Sequence, residues 1–210
     1  MTNYRASGRI AMLLAALLVF CTLLVSCSIN TNLEVKGSKQ DFEAMSLDKL
    51  EGYVSIGEYK NMSVSLGSKS KGEAVWSAIL ENAHVEEYPQ EHVYYYMEQL
   101  EDQYSYYAEQ AGVSYKEILA QLGKSEATIL QDAKAMTKKD IVYAIILKRE
   151  GITLTDSEKQ THFDRYVDKY VESYGYSEAY VEANMTELIY DSMLYDKTTE
   201  FLILNNTFSK

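Results

Sequence analysis

The sequence predicts a mainly α-helical fold, a multi-helix bundle with a short β-prone arm on its N-terminal side. Beyond residue 72, apolar side chains recur at the 3.6-residue period of an α-helix. In the same region, serine or threonine at predicted helix starts alternates with glycine at predicted helix ends. Together these patterns predict five or six helices. We expect strands only in the arm before them.

A long predicted helix follows Pro89, the only proline in the chain. Proline fits the first turn of a helix because its missing N–H is not needed there. Gly112 is the expected C-terminal stop. The residues between them that share one predicted helix face are Val93, Met97, Leu100, Tyr104, Tyr107 and Ala111.

The other helices are predicted from their boundaries. Ser114 with Glu117, and Thr155 with Glu158, have the spacing of capping boxes. One helix is expected over residues 73–83 and a long one over 125–150, while Ser177 should open the last helix. The arm and joint, residues 52–72, contain two β-prone pieces at 53–56 and 62–66, followed by GSKSKG at 67–72, a flexible joint.

The first residues have the character of an export signal. Arg5 and Arg9 precede an uncharged apolar stretch over residues 10–24, which ends in LVSC at 24–27. This ending resembles the lipobox of bacterial lipoproteins, which implies a signal peptide over residues 1–26 and a lipid on Cys27. An ordinary signal or an uncut anchor is the alternative. Residues 27–51, polar and weakly periodic, are then expected to form a lipidated tether.

Charge and cysteine content exclude several classes of protein. The full chain has a formal net charge of −11, and removal of residues 1–26 would leave 18 basic against 31 acidic residues, or −13. This balance argues against nucleic-acid partners. Cys21 would leave with the signal and Cys27 would be blocked, so no disulfide is expected. The resulting 184 residues are enough for one apolar core.

We identify no catalytic or metal-binding motif. His84 and His92 lie near glutamates, but their offsets straddle a helix start, and neither HExxH nor CxxC occurs. A nucleophile elbow and a P-loop are also lacking. We therefore expect no catalytic residues, no metal and no cofactor.

Several segments together resemble the C-terminal chaperone domain of trigger factor, which is related to the helical part of SurA-type chaperones. They are AHVEEYP at 83–89, AGVSYKE at 111–117, GKSE at 123–126 and GITLTDSE at 151–158. Residues 53–64, with GEYK at 57–60, are similar to the segment that precedes the isomerase domain in that family. The resemblance covers about residues 53–66 and 73–205, and it implies a helical chaperone-like domain over 73–210.

The resemblance implies a holdase that binds unfolded or exported polypeptides without a covalent step. Together with the predicted signal peptide and the lipid on Cys27, we expect this holdase to be extracytoplasmic and lipid-anchored. Only the GSKSKG joint stands where the family inserts its FKBP-type isomerase domain, so prolyl isomerase activity is not expected. No ribosome-docking signature like Gly-Phe-Arg-Lys is found. Two alternatives remain: an isomerase-related foldase, or a lipoprotein subunit that docks one defined partner. Client identity and oligomeric state stay open.

Tyrosine is the most distinctive component of the predicted binding surface. The chain has 19 Tyr against 5 Phe, and a tyrosine ring offers apolar area while its hydroxyl tolerates water. Consecutive tyrosines at 94–96 point about 100° apart on a helix, so they cannot all face one core. Core or boundary positions are the expected role of Tyr104, Tyr107, Tyr166, Tyr170, Tyr174 and Tyr195. The candidate polypeptide-binding residues, for which a core role is the alternative, are Tyr94, Tyr95, Tyr96, Met97 and Tyr106.

Overall fold

The computed structural model describes residues 37–210. The predicted signal peptide, Cys27 and the first part of the predicted tether lie outside the described residues. Eight helices account for 68% of the described residues, and strands account for little. The prediction of a mainly α-helical fold is therefore confirmed.

The elements follow one another along the chain with short connections. The helices are α1 (Leu47–Tyr53), α2 (Lys71–Asn82), α3 (Gln90–Ala111), α4 (Tyr115–Gln121), α5 (Glu126–Glu150), α6 (Asp156–Tyr174), α7 (Glu178–Asn184) and α8 (Thr186–Leu204). The strands are β1 (Val54–Ser55), β2 (Ser63–Ser65), β3 (His84–Val85) and β4 (Thr207–Ser209). They form two two-stranded sheets, β1 with β3 and β2 with β4.

The described chain divides into two compact units. The first comprises residues 37–54 and 85–141, and the second comprises residues 55–84 and 142–210. Helix α5 contributes its residues up to 141 to the first unit and the remainder to the second.

The first unit is built around α3. Pro89 is its N-cap residue, and Gly112 ends it in the left-handed conformation, with φ 67°. Both predicted boundaries are confirmed. Side chains of α3, α4 and α5 form one buried cluster, which consists of Val93, Tyr96, Leu100, Tyr104, Ala108, Ile118, Leu119, Ile129 and Ala133.

The second unit contains the packing of α2 against α8 and of α6 against α7 and α8. The indole ring of Trp76 on α2 stacks on Tyr195 of α8 with ring centroids 5.5 Å apart, and its Nε1–H donates to Thr199 Oγ1 at 2.9 Å. The buried tryptophan thus has a hydrogen-bond partner for its one polar atom, as buried indole rings usually do. A separate buried cluster joins α6, α7 and α8 through Tyr166, Val167, Val181, Ile189 and Met193.

The chain end forms a strand that was not predicted. Strand β4 pairs in parallel with β2, with Val64 opposite Phe208. The Asn206 side chain extends this connection, because its Nδ2 donates to Tyr59 O at 3.0 Å and its Oδ1 accepts from Met62 N–H at 2.8 Å. Two isolated strands are barely stable without further packing, so these side-chain hydrogen bonds help to hold the pair.

The expectation that strands are confined to the arm before residue 72 is wrong, since β3 and β4 follow it.

Three other boundaries differ from the prediction. Part of the predicted tether is folded, because Ser46 caps α1, and Phe42 and Leu50 are buried. The joint at 67–72 contains a helix start, since Ser70 forms a capping box with Glu73. The predicted last helix is divided into α7 and α8 at Met185.

Candidate polypeptide-binding surface

Helix α3 presents its tyrosines on different sides, as their consecutive positions require. Tyr96 points into the first unit and is 9% exposed, whereas Tyr94 and Tyr106 are 54% and 58% exposed. Tyr95 and Met97 are partly buried and pack against the edge of the core cluster. Of the five candidates, Tyr94 and Tyr106 therefore form the solvent-facing aromatic surface of α3. Tyr96 belongs to the buried cluster of the first unit.

The surface around these two rings is acidic. Glu91, Glu101, Asp102 and Glu109 all lie on α3, and all are exposed. Tyr106 also contacts the ring of Tyr107, with centroids 6.1 Å apart. Apolar rings between carboxylates suit a flexible partner that carries both apolar and basic groups, because contact area and charge attraction are available together.

Beneath this surface, a buried histidine connects α3 to α5. His92 has no exposed area, and its Nε2 lies 3.1 Å from Asp140 Oδ2. Its Nδ1 accepts a hydrogen bond from the main-chain N–H of Gln40 at 2.9 Å. This acceptor role places the proton on Nε2, so the ring donates to Asp140. The same carboxylate oxygen accepts from the hydroxyl of Tyr96 at 2.5 Å.

Burial raises the pKa of the Tyr96 hydroxyl far above its ordinary value. The charge of Asp140 and the hydrogen bond to it act in the same direction. This tyrosine therefore stays a neutral donor at physiological pH. The nearby glutamates do not indicate this role of His92, and no pattern within α3 reveals its partner, which lies 48 residues away. Within residues 37–210, no group of three or more metal-ligating side chains occurs. His84 occupies an exposed position of β3.

The segment 37–42, here called the N-terminal strap, lies against α3. The Gly37 N–H donates to Glu98 Oε2 at 2.9 Å. Further along, the ring of Phe42 packs against His92 with centroids 4.5 Å apart. This segment belongs to the predicted tether, for which no contact with a helix was expected. Glycine at 37 was the one available signal, since a glycine outside a turn often marks a close approach of two main chains.

The second unit carries a further group of neighbouring tyrosines, two of them exposed, which are not among the residues predicted to bind polypeptide. Tyr174, Tyr176 and Tyr180 follow one another at the turn between α6 and α7, with centroids 6.1 Å and then 5.0 Å apart. Tyr176 and Tyr180 are 43% and 49% exposed. The local pattern YGYSEAY could have indicated them, because glycine and serine at a helix break leave neighbouring rings exposed.

A cleft of about 180 Å³ in the second unit is lined mainly by polar and charged side chains, including Arg165 and Asp196. At its edge, Lys197 Nζ donates to Glu158 Oε1 at 2.5 Å and to Thr153 O at 2.8 Å. The lysine and the Thr155 cap lower the pKa of Glu158 to about 2. Both side chains are used in holding α6 to α8, so we regard the cleft as structural.

The family model of the bacterial trigger factor protein (TF) C-terminus matches residues 47–203. The match covers about three quarters of the chain. This protein belongs to the trigger factor C-terminal family. The resemblance inferred from the sequence is therefore confirmed, and no isomerase domain accompanies the match.

The family match assigns a chaperone-type domain rather than a catalytic one. No curated protein and no solved structure is similar enough to count as a match. Among residues 37–210, no helix has the length and apolar character that crossing a membrane requires.

Proposed function

We propose that this protein is a lipid-anchored, extracytoplasmic holdase that binds unfolded or exported polypeptides without changing them chemically. The observation that carries the proposal is the trigger factor C-terminal match together with exposed tyrosines on the longest helix of its first unit. Tyr94 and Tyr106 offer apolar contact area with hydroxyls that tolerate water. Such contacts lack a fixed shape, so binding of many different clients is favoured over tight binding of one.

The acidic surroundings of these rings set a preference among clients. The net charge of −11 and the exposed carboxylates of α3 attract basic chains and repel acidic ones. We therefore expect faster binding to basic unfolded polypeptides, with a rate that falls as salt is added.

Light scattering tests the holdase proposal. The full-length protein in lipid nanodiscs is mixed at equal molar amounts with a basic client that aggregates, such as lysozyme reduced in solution. We expect aggregation to be delayed, and equally in nanodiscs that hold a Tyr94→Phe, Tyr106→Phe double variant. A Tyr94→Gln, Tyr106→Gln double variant keeps an uncharged polar side chain at each position but lacks the rings, and it should delay aggregation less. No delay by the wild type would contradict the proposal.

The exposed tyrosines of the second unit provide a matched comparison. A Tyr176→Gln, Tyr180→Gln double variant removes two rings of similar exposure elsewhere in the chain. If it retains the delay that the α3 variant loses, binding is assigned to α3. Equal losses would extend the binding surface to the second unit.

The lipid anchor is a separate part of the proposal and rests on the LVSC sequence at 24–27. Mass spectrometry of the protein isolated from membranes should find a lipid-modified Cys27 at the N-terminus of the mature chain. Cys27→Ala should abolish this modification. An unmodified N-terminus that begins elsewhere would contradict the lipoprotein assignment while leaving the holdase proposal intact.

Two measurements separate the holdase from the alternatives. A proline-peptide assay should show no acceleration of isomerisation, because six residues at 67–72 cannot contain an isomerase domain. Affinity isolation from membranes should recover many unrelated exported proteins. Recovery of one partner in a fixed ratio would instead indicate a docking subunit.

A further inference from the structure

The edge of α3 that carries Tyr94 and Tyr95 is already in contact with a piece of polypeptide that is neither helix nor strand, the N-terminal strap. We propose that this edge is a main-chain recognition site for extended polypeptide, and that the strap occupies it in cis until an unfolded client displaces it. The inference rests on the proposed function and deepens it, because it names the chemistry by which a client is bound and a device that controls access.

Two side-chain acceptors on α3 bind main-chain donors of the strap. Glu98 Oε2 accepts from Gly37 N–H and His92 Nδ1 accepts from Gln40 N–H, each at 2.9 Å. Every residue except proline supplies a main-chain N–H. Acceptors that bind such donors therefore recognise a chain in an extended form with little regard for its side chains, which is the selectivity that a holdase requires.

The acceptor on His92 is fixed in place by the rest of the first unit. Because Nε2–H donates to Asp140, the ring keeps Nδ1 free to accept from outside the helix. Tyr96 holds the same carboxylate from the other side. A buried, pre-oriented acceptor of this kind loses little freedom when a chain binds.

Gly37 shows how closely a chain approaches at this edge. A Cβ atom on Gly37 would lie 2.3 Å from the main-chain nitrogen of Tyr95 and 2.5 Å from its Cα. Any residue larger than glycine would have to move away from α3. Five residues later, the buried ring of Phe42 rests on His92. The two hydrogen-bond acceptors thus admit any segment with main-chain N–H groups at these positions. The close approach and the ring contact add a preference for segments with a glycine and, five positions further, an aromatic residue.

The hydrogen bonds of the strap keep it in the site, but one of its buried polar atoms lacks a partner, which weakens its binding. Gln40 Oε1 is buried and has no hydrogen-bond partner, so part of the strap is desolvated without compensation. A client segment without this defect, flanked by the exposed ring of Tyr94, can replace the strap. The client's apparent affinity then depends on the fraction of molecules in which the strap is displaced.

The test compares two glycine-to-alanine variants of the full-length protein in lipid nanodiscs. Gly37→Ala places a Cβ against the α3 main chain and should release the strap. Gly52→Ala is the matched control, because a Cβ there meets nothing within 4 Å. The probe is lysozyme that has been reduced and alkylated with iodoacetamide, which is unfolded and basic. Affinity is measured by fluorescence anisotropy of the labelled probe, and the strap is followed by hydrogen exchange at the Gln40 amide.

We expect the Gln40 amide to be protected in the wild type and in Gly52→Ala, and to exchange faster in Gly37→Ala. Release of the competing strap should then raise the affinity of Gly37→Ala for the probe about threefold or more, with Gly52→Ala unchanged. Adding the probe to the wild type should also speed exchange at Gln40. A synthetic peptide of residues 37–45 should displace the probe from the wild type and from Gly37→Ala, and a scrambled peptide should displace it from neither.

The outcomes separate this inference from the proposed function. If the wild type binds the probe but Gly37→Ala binds it no better, although its strap is released, the strap is not a competitor and only this inference fails. Failure of the 37–45 peptide to compete has the same meaning, and it applies even if Gly37→Ala does not fold. If no form of the protein binds the probe, the proposed function and this inference fail together.

Discussion

At the scale of single residues, the interior of the first unit depends on one carboxylate that serves two donors. Asp140 Oδ2 accepts from Tyr96 and from His92, which are four residues apart on α3. Positions i and i+4 lie on the same side of a helix, so both side chains can reach one acceptor on α5. Hydrogen bonds to a charged group are stronger than neutral ones, and this group holds the two helices at a fixed register.

Removal of one hydroxyl tests this arrangement. Tyr96→Phe deletes the donor to Asp140 but keeps the ring in the core cluster. Because the acceptor is charged and one third exposed, we expect a loss of about 1 to 2 kcal/mol in the free energy of unfolding. The measurement is urea unfolding followed by circular dichroism. Tyr94→Phe is the control, and its exposed ring should change stability by less than about 0.5 kcal/mol. Equal effects of the two variants would contradict the assignment.

The pKa of Glu158, lowered to about 2 by Lys197 and by the Thr155 cap, predicts a pH dependence. A carboxylate whose folded pKa is depressed stabilises the fold fully above its unfolded pKa of about 4.5 and loses that contribution as the pH falls through about 2. Glu158→Gln keeps an acceptor for the cap but not the charge. Its melting temperature should lie below that of the wild type by a constant amount from about pH 5 to 8, and the gap should close towards pH 2.

The control for this prediction is Glu172→Gln, on an exposed position of the same helix. Its difference from the wild type should be small and should not follow the same pH course. A gap for Glu158→Gln that persists unchanged at about pH 2 would show that the charge of Glu158 does not contribute to the stability of α6.

At the scale of elements, the helices are delimited by short local signals. Capping boxes begin α2, α4 and α6, and each pairs a serine or threonine with a glutamate three residues later. Glycines in the left-handed conformation end α3 and α6. These devices involve neighbours in sequence, so they act before any tertiary contact forms and can be recognised without a structure.

The cap of α4 gives the element-scale prediction. Ser114 Oγ accepts from the Glu117 N–H at 3.3 Å, and the Glu117 carboxylate accepts from the Ser114 N–H at 2.8 Å. Ser114→Ala removes the first of these bonds and should reduce the free energy of unfolding by about 1 kcal/mol. Guanidinium unfolding is the measurement. Ser105→Ala, at an exposed position within α3, should have no such cost. A stability loss in Ser105→Ala as large as in Ser114→Ala would argue against a capping role.

At the scale of the whole molecule, helix boundaries set by neighbouring residues could be predicted from the sequence. Contacts between residues far apart in the chain could not. The starts of α4 and α6 and the end of α3 were predicted correctly because their signals lie within a few residues. The parallel pairing of β2 with β4 joins residues more than 140 positions apart, and three-residue strands carry no periodicity by which to find them. The contact of the N-terminal strap with α3 was missed for the same reason.

The candidate binding surface shows a similar division. Consecutive positions at 94–96 correctly indicated that the rings must diverge, but not which one is buried. That depends on Asp140, which arrives from another helix and accepts from Tyr96. Tyr94, which has no such partner among the hydrogen bonds of the described residues, is left in solvent. The choice between core and surface is therefore made by tertiary contacts that a single helix pattern does not contain.

The closure of the second unit by the chain end gives the last prediction. The Asn206 amide connects three main-chain groups: its Nδ2 donates to Tyr59 O and to Leu202 O, and its Oδ1 accepts from Met62 N–H. Asn206→Ala leaves these groups without their partner and should lower the free energy of unfolding by about 2 to 3 kcal/mol. It should also speed hydrogen exchange of the Leu66 amide, which donates to Ser209 O across the same pairing.

Asn184→Ala is the matched control, because the Asn184 amide donates only within its own part of the chain, to Tyr180 O. It should cost much less stability and leave exchange at Leu66 unchanged. If Asn206→Ala lowered stability without affecting Leu66, Asn206 would act only on the end of α8. If instead both measurements matched the control, the chain end would not hold β2 in place, and residues 61–66 would have to be ordered by their packing on α2 alone.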